Sequence, residues 1–140
     1  MKKKLKGYIY SRKFMGEIVP QKVQNIIIRN YCEKNNCDFI LSSVEYSMEN
    51  CYLVLKKLID NFKSYNGIAF YSLYQLPYHD AERFKIYDLI LKKKKELHFV
   101  LEEVLLTINC TKNLETIESS WQIRKTLNKI NFDLAAEYNK

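Results

Sequence analysis

With 140 residues and 47% hydrophobic content, the chain is long enough to bury a core of its own, and 3 glycines and 2 prolines leave little room for flexible linkers. No run approaches the roughly 18 apolar residues of a membrane helix, and Met1-Lys2-Lys3-Lys4-Leu5-Lys6 leads into polar and aromatic residues rather than a signal core. A cytoplasmic protein with no membrane insertion is therefore expected.

The net charge of +7 is concentrated in two clusters. With Lys2, Lys3, Lys4, Lys6 and Lys92 to Lys95 set aside, 15 of the 23 basic residues remain against 16 acidic ones. Such clusters suit either an acidic partner, nucleic acid or anionic lipid, or a solvated terminus and a helix end whose lysines offset the macrodipole. The second reading is adopted, so nucleic acid is not expected as a partner. Cys32, Cys37, Cys51 and Cys110 form no CxxC, and His79 and His98 lie far apart. Free thiols are expected, with no metal and no cofactor.

In chain order, residues 6–11 read as a first strand, and Arg12 to Val19 as a loop containing Gly16. Pro20 suits the first turn of a helix over 20–35, whose inward face is read as Val23, Ile26, Ile27, Asn30 and Tyr31. Residues 38–42 form a second strand. A helix over 51–63 follows, with Leu53, Val54, Leu55, Leu58, Ile59 and Phe62 near the 3.6 period. Residues 67–72 are unbroken apolar and aromatic sequence, which marks a central strand of a parallel sheet covered on both faces. Asp80 is placed to cap a helix over 80–94 that turns Phe84, Tyr87, Ile90 and Leu91 inward. Residues 96–101 make a fourth strand. A final helix over 111–137 carries Leu114, Ile117, Trp121, Leu127, Ile130 and Leu134 at helical spacing, to cover the sheet or to pair with its mate in a dimer. The expected architecture is one α/β domain over 1–140, with a four-stranded, mainly parallel sheet flanked by helices as a three-layer sandwich.

In such sheets ligands sit at the carboxyl ends of the strands. Ser11, Arg12, Ser72, Gln75 and Glu102 all fall there, so folding is expected to bring them together. Arg12 suits a phosphate or carboxylate. Ser11, Ser72 and Gln75 suit sugar hydroxyls or an oxyanion, and Glu102 or Glu45 a general base. For the serines the competing reading is a strand-end turn or cap, and for Arg12 and the glutamates a surface ion pair. His79, at the head of a helix, has access to the same edge as an acid or base. Gln24 and Asn25 are candidate ligand contacts from the first helix, and Tyr74 with Tyr78 a candidate aromatic platform. His98, mid-strand, reads as a buried, hydrogen-bonded histidine.

The stretches Gly7-Tyr8-Ile9-Tyr10-Ser11-Arg12, Gln24, Arg29 to Glu33, Gly67 to Leu73 and Glu96 to Glu103 follow a known layout. Over roughly residues 6–104 the chain resembles the catalytic domain of serine recombinases, the resolvases and invertases. That resemblance implies strand order 2-1-3-4, a long dimerising helix after the sheet, and a serine nucleophile at the end of the first strand among phosphate-binding arginines. Ser11 lies near the nucleophile's place. Tyr10 or Ile9 stands where an arginine is expected, and Tyr74-Gln75-Leu76-Pro77 where an Asp-Arg-Leu stretch and a further serine and arginine are expected. Recombinase activity is therefore not expected, because glutamine carries no charge to offset a phosphodiester transition state.

A second likeness spans nearly the whole chain. Gly7-Tyr8, Ser11-Arg12, Pro20, Val23-Gln24-Asn25, Arg29 to Cys32, Glu45, Asn50 to Leu53, Ser72, Leu76-Pro77, His98-Phe99 and Glu102 resemble the sporadic carbohydrate cluster family of small bacterial proteins. This implies a surface-polysaccharide setting and a sugar, sugar-phosphate or nucleotide-sugar ligand, and no mechanism; from their place at the carboxyl edge, Ser11, Glu102 and His79 are the catalytic candidates. Arg12, Gln24, Asn25, Glu45, Ser72, Tyr74 and Gln75 are then the binding candidates. A recombinase-like DNA protein and a non-catalytic oligomeric scaffold are the alternatives, with a homodimer through the final helix expected.

Overall fold

The computed structural model describes residues 2–138. Strand β1 (Lys4–Tyr10) runs parallel to β2 (Asp38–Glu45) on one side and to β3 (Gly67–Phe70) on the other. Beyond β3 lies parallel β4 (Glu96–Phe99), and then β5 (Val104–Leu106), which is antiparallel to it. The sheet thus has five strands in the order 2-1-3-4-5. The fifth strand, not expected from the sequence, forms because Glu103 takes φ 55° and turns the chain back along β4. Strand β4 ends at Phe99, earlier than expected, and Glu102-Glu103 lies in the turn of the hairpin.

Alternation along the strands builds two cores. Leu5, Ile9 and Ala69 face Ile28 and Cys32 of helix α1 (Gln21–Lys34). Tyr8, Ile68, Phe70, Leu97 and Phe99 face the opposite layer. That layer consists of α2 (Leu53–Asp60), α3 (Asp80–Lys92) and the first turns of α4 (Asn113–Tyr138). Each fully buried Leu, Ile or Phe contributes roughly 1.5–3 kcal/mol. Gly67 opens β3 because the backbones crowd there: a Cβ would lie 2.8 Å from the Glu96 carbonyl and 3.0 Å from Leu5.

Several boundaries and faces differ from expectation. Strand β2 extends to Glu45, whereas β3 and β4 stop at Phe70 and Phe99, and a short 3-10 turn, Leu73–Gln75, follows β3. Pro20 is the residue before α1 rather than its first, and His79 rather than Asp80 caps α3. On α1 the buried residues are Gln24, Ile28 and Cys32, while Val23 and Ile26 are exposed. On α3 Arg83 and Ile86 turn inward and Phe84 outward, and Leu53 of α2 is exposed. Apolar spacing fixed each helix but misplaced the inward face by about one position, because buried polar groups occupy it. Helices α1 and α3 end alike: Asn36 and Lys94 adopt φ 54° and 55°, and the next amide (Cys37, Lys95) bonds back to Cys32 and Ile90. No helix among the described residues is long and apolar enough to cross a membrane.

Candidate functional site

The carboxyl edge gathers the expected residues, and it spends most of them on its own architecture. Gln24, fully buried, clamps the end of β1: its Oε1 accepts from Tyr10 N at 3.0 Å, and its Nε2 donates to Tyr10 O and Val19 O, each at 2.9 Å. Gln75 donates to the same Oε1 at 2.8 Å and accepts from Ser72 N. Ser72 caps the 3-10 turn, and its Oγ donates to Glu102 Oε2 at 2.8 Å. Glu102 Oε1 accepts from Leu73 N at 2.8 Å. Burial raises the Glu102 carboxyl above its ordinary range, against the pull of the Leu73 and Ser72 bonds.

Ser72, Gln75 and Gln24 are all sealed from solvent. Their polar atoms are already paired within the fold, as buried groups are. Glu45 is in the same position. Only 1% exposed, it accepts from Tyr8 OH at 2.8 Å, Tyr46 N at 3.0 Å, Val54 N at 3.1 Å and Leu55 N at 3.2 Å. It therefore fills the N-terminus of α2, a position that favours negative charge. Cys51 Sγ lies 4.0 Å from the same carboxylate.

His79 stands away from this network, exposed and edge-on to Tyr78 at 5.8 Å. Among the described residues it makes no hydrogen bond to Ser11 or Glu102. Tyr74 and Tyr78 pack edge-on against Trp121 at 5.2 and 6.0 Å, so they belong to the seat of α4 rather than to an open platform. Asn25 Oδ1 is buried without a partner among the described residues. On the far side of β4, His98 is held as expected, with Tyr31 OH 2.7 Å from Nδ1 and Glu96 Oε1 2.9 Å from Nε2. Burial opposes ionisation of Glu96, but the bonds from His98 and Lys3 outweigh it and hold the carboxyl below its usual range.

What stays open to a ligand is cationic. Half-buried Arg12 donates through Nη1 alone to the carbonyls of Tyr46, Met48 and Cys51 at 3.0, 2.9 and 2.7 Å. Its guanidinium lies over Tyr10 at 4.3 Å and Tyr52 at 5.0 Å. The Nε and Nη2 groups make no hydrogen bond among the described residues. Arg12 lines a cleft of about 230 Å3 with Lys13, Asn50, Tyr52 and Tyr74. Ser11 sits beside it, half-buried, its Oγ donating to Glu45 O at 3.1 Å. A tight hairpin, Phe14 bridged to Glu17 with Met15 and Gly16 at φ 57° and 79°, separates this cleft from a neighbouring one. The second cleft is lined by Arg124, which donates to Met15 O at 3.3 Å and lies 5.8 Å from the Tyr74 ring.

Sequence reading missed Arg124, although it follows Ile117 and Trp121 at helical spacing on α4. It also missed Arg83, fully buried beneath Trp121 at 4.4 Å and paired with Glu118 at 2.8 Å. Nothing in the sequence marks Arg83 as buried.

No family model matches the chain, and no curated protein matches it. Two solved structures resemble it. One is a resolvase family site-specific recombinase from Streptococcus pneumoniae, with a TM-score of 0.61, 9% identity, and 96% of this chain and 97% of that one covered. The other is the N-terminal catalytic domain of TP901-1 integrase, with a TM-score of 0.59, 16% identity, and coverage of 92% and 98%. The resolvase-like fold is thereby established. The carbohydrate-biosynthesis reading, with its sugar-phosphate or nucleotide-sugar ligand, is overturned: both neighbours are recombinase domains, which favours the recombinase-like alternative. At these identities the likeness is one of fold.

Proposed function

We propose that this chain is a serine recombinase-like DNA-binding domain whose carboxyl sheet edge holds the DNA backbone, with Arg12 and Lys13 at a phosphate in one cleft and Arg124 at the neighbouring cleft. The observation that carries this reading is the state of Arg12. One nitrogen is anchored on three carbonyls, the ring faces of Tyr10 and Tyr52 hold the plane, and the remaining donors border a cleft. A preorganised guanidinium suits the planar recognition of a phosphate oxygen pair. Both structural neighbours are recombinase domains, which supports DNA as the source of that phosphate. Ser11 offers a hydroxyl at this rim, its Oγ donating to the Glu45 carbonyl.

The likeness to the sporadic carbohydrate cluster family rests on the quoted sequence stretches alone and supplies no ligand. Helix α4 adds a second element to the proposal. Past its docked turns, Ile123, Leu127, Ile130 and Leu134 are exposed at spacings of four, three and four, the seam of a paired helix. A dimer through α4 is the assembly in which the domain engages DNA.

The test is fluorescence anisotropy with a short labelled duplex over a salt series. Arg12→Ala and Arg124→Ala are expected to weaken binding about tenfold each, and each to flatten the salt slope by about one phosphate's worth. Wild-type affinity in both variants refutes the phosphate site. A covalent protein–DNA adduct that survives denaturation and disappears in Ser11→Ala would extend the reading from binding to strand transfer.

A further inference from the structure

The lysine clusters read from the sequence as two separate solvated features converge in the fold. Strands β1, β3 and β4 are parallel, so everything that precedes them lies at one amino-terminal edge. Asn66 ties that edge together. Its Oδ1 accepts from Lys4 N at 2.8 Å, its N–H donates to Lys4 O at 2.8 Å, and its carbonyl accepts from Glu96 N at 3.1 Å. Lys2 to Lys4 therefore lie beside Lys95 and the α3 terminus, with Lys63 from the turn before β3 alongside.

Most of this charge is uncompensated. Lys3 pairs with Glu96 at 2.7 Å and Lys92 with Asp88 at 2.9 Å. Lys93 rests on the Ile59 carbonyl at 2.6 Å and Lys95 on the Tyr65 carbonyl at 3.1 Å, neutral acceptors that position the ammonium groups without cancelling them. Lys2, Lys4, Lys63 and Lys94 are exposed, and among the described residues no carboxylate lies within ion-pair distance of them. Against these six lysines the edge sets Asp60 and, in a cleft beside Lys2, Glu33 and Asp38.

We propose that this amino-terminal edge is a sequence-independent docking surface for the phosphate backbone of duplex DNA. Three features select that occupant. The charges are spread in a row, which matches a line of phosphates rather than one anion. They are lysines, point charges without the fork that selects a particular acceptor geometry. Among the described residues Ile108, just past β5, is the large apolar side chain exposed at this edge, too little to insert into a bilayer or to build a stacking platform for unpaired bases. This surface does not rest on the Arg12 cleft. The seven residues of β1, roughly 20 Å at a strand's rise, separate the two.

The experiment compares the full chain with the quadruple variant Lys2→Gln, Lys4→Gln, Lys63→Gln, Lys94→Gly. None of these ammonium groups makes a hydrogen bond among the described residues, and Lys94 at φ 55° is a position that glycine prefers, so the fold is retained and is checked by circular dichroism. With a 20-base-pair duplex of arbitrary sequence, the variant is expected to lose about 100-fold in affinity at low salt. Its salt slope should drop by about 3.6, at roughly 0.9 for each of the four phosphates left unneutralised. Arg12→Ala keeps most of the slope. Unchanged affinity and slope in the quadruple variant overturn the proposal. So does wild-type binding to phosphatidylserine vesicles without binding to duplex, or the absence of duplex binding at low salt. If the lysine variant weakens binding and Arg12→Ala does not, the edge stands and the phosphate cleft fails; the reverse pattern fails the edge alone.

Discussion

Replacing Glu45 by alanine should unfold the sheet edge rather than empty a binding site. The carboxylate accepts from two buried donors, Tyr8 OH and Leu55 N, and from the part-buried Val54 N and Tyr46 N. Alanine leaves these donors without partners. A buried unsatisfied donor costs about 1–3 kcal/mol, so the two buried ones sum to roughly 2–6 kcal/mol and the part-buried ones add less. Water entering the vacated space returns part of this, and we expect a loss of about 3–5 kcal/mol, a large share of the ~5–15 kcal/mol that holds a domain of this size together. Glu45→Gln is informative as well. Its amide oxygen serves two donors at most, and its NH2 group is turned toward the others, so about half the loss is expected. Urea unfolding at pH 7, with the midpoint and slope fitted separately, measures both. A loss below about 1 kcal/mol in Glu45→Ala, with the slope unchanged, would refute the reasoning and make Glu45 a ligand group again.

Arg83→Met should cost about 3–5 kcal/mol by stranding Glu118 and the Pro77 and Tyr78 carbonyls, with faster hydrogen exchange in α4 than in β1. Lys94→Gly alone should raise stability by about 1 kcal/mol, since a left-handed residue with a Cβ is replaced by one without; a lower midpoint would contradict the cap geometry. The raised carboxyl of Glu102 means that the folded state holds its proton more tightly than the unfolded chain does. Its contribution is full below the ordinary value of 4.5 and is lost as pH rises through the folded value; Glu102→Gln should remove that decline from a stability–pH profile. Leu127→Lys with Ile130→Lys should convert the α4 dimer to monomer in light scattering, without changing the melting of the sheet.

The order of the helices and of the first four strands was legible in the sequence because period is a local property, whereas the three-residue β5 was not. The unbroken run over 67–72 marked the central strand, and the gathering of Ser11, Ser72, Gln75 and Glu102 at one edge followed from parallel connections alone. Which of those side chains remain open to a ligand was not legible. Gln24, Gln75 and Glu45 look like site residues because they are polar and near the edge, yet whether a polar atom is free depends on which backbone groups the fold leaves unpaired beside it. Tertiary structure alone decided that Gln24 is spent on Tyr10 and Glu45 on α2, while Arg12 keeps two donors. It alone brought Arg124 to the rim and laid Lys4 beside Lys95, because the pairing of residues about 90 apart is set by strand order and leaves no local trace in the chain.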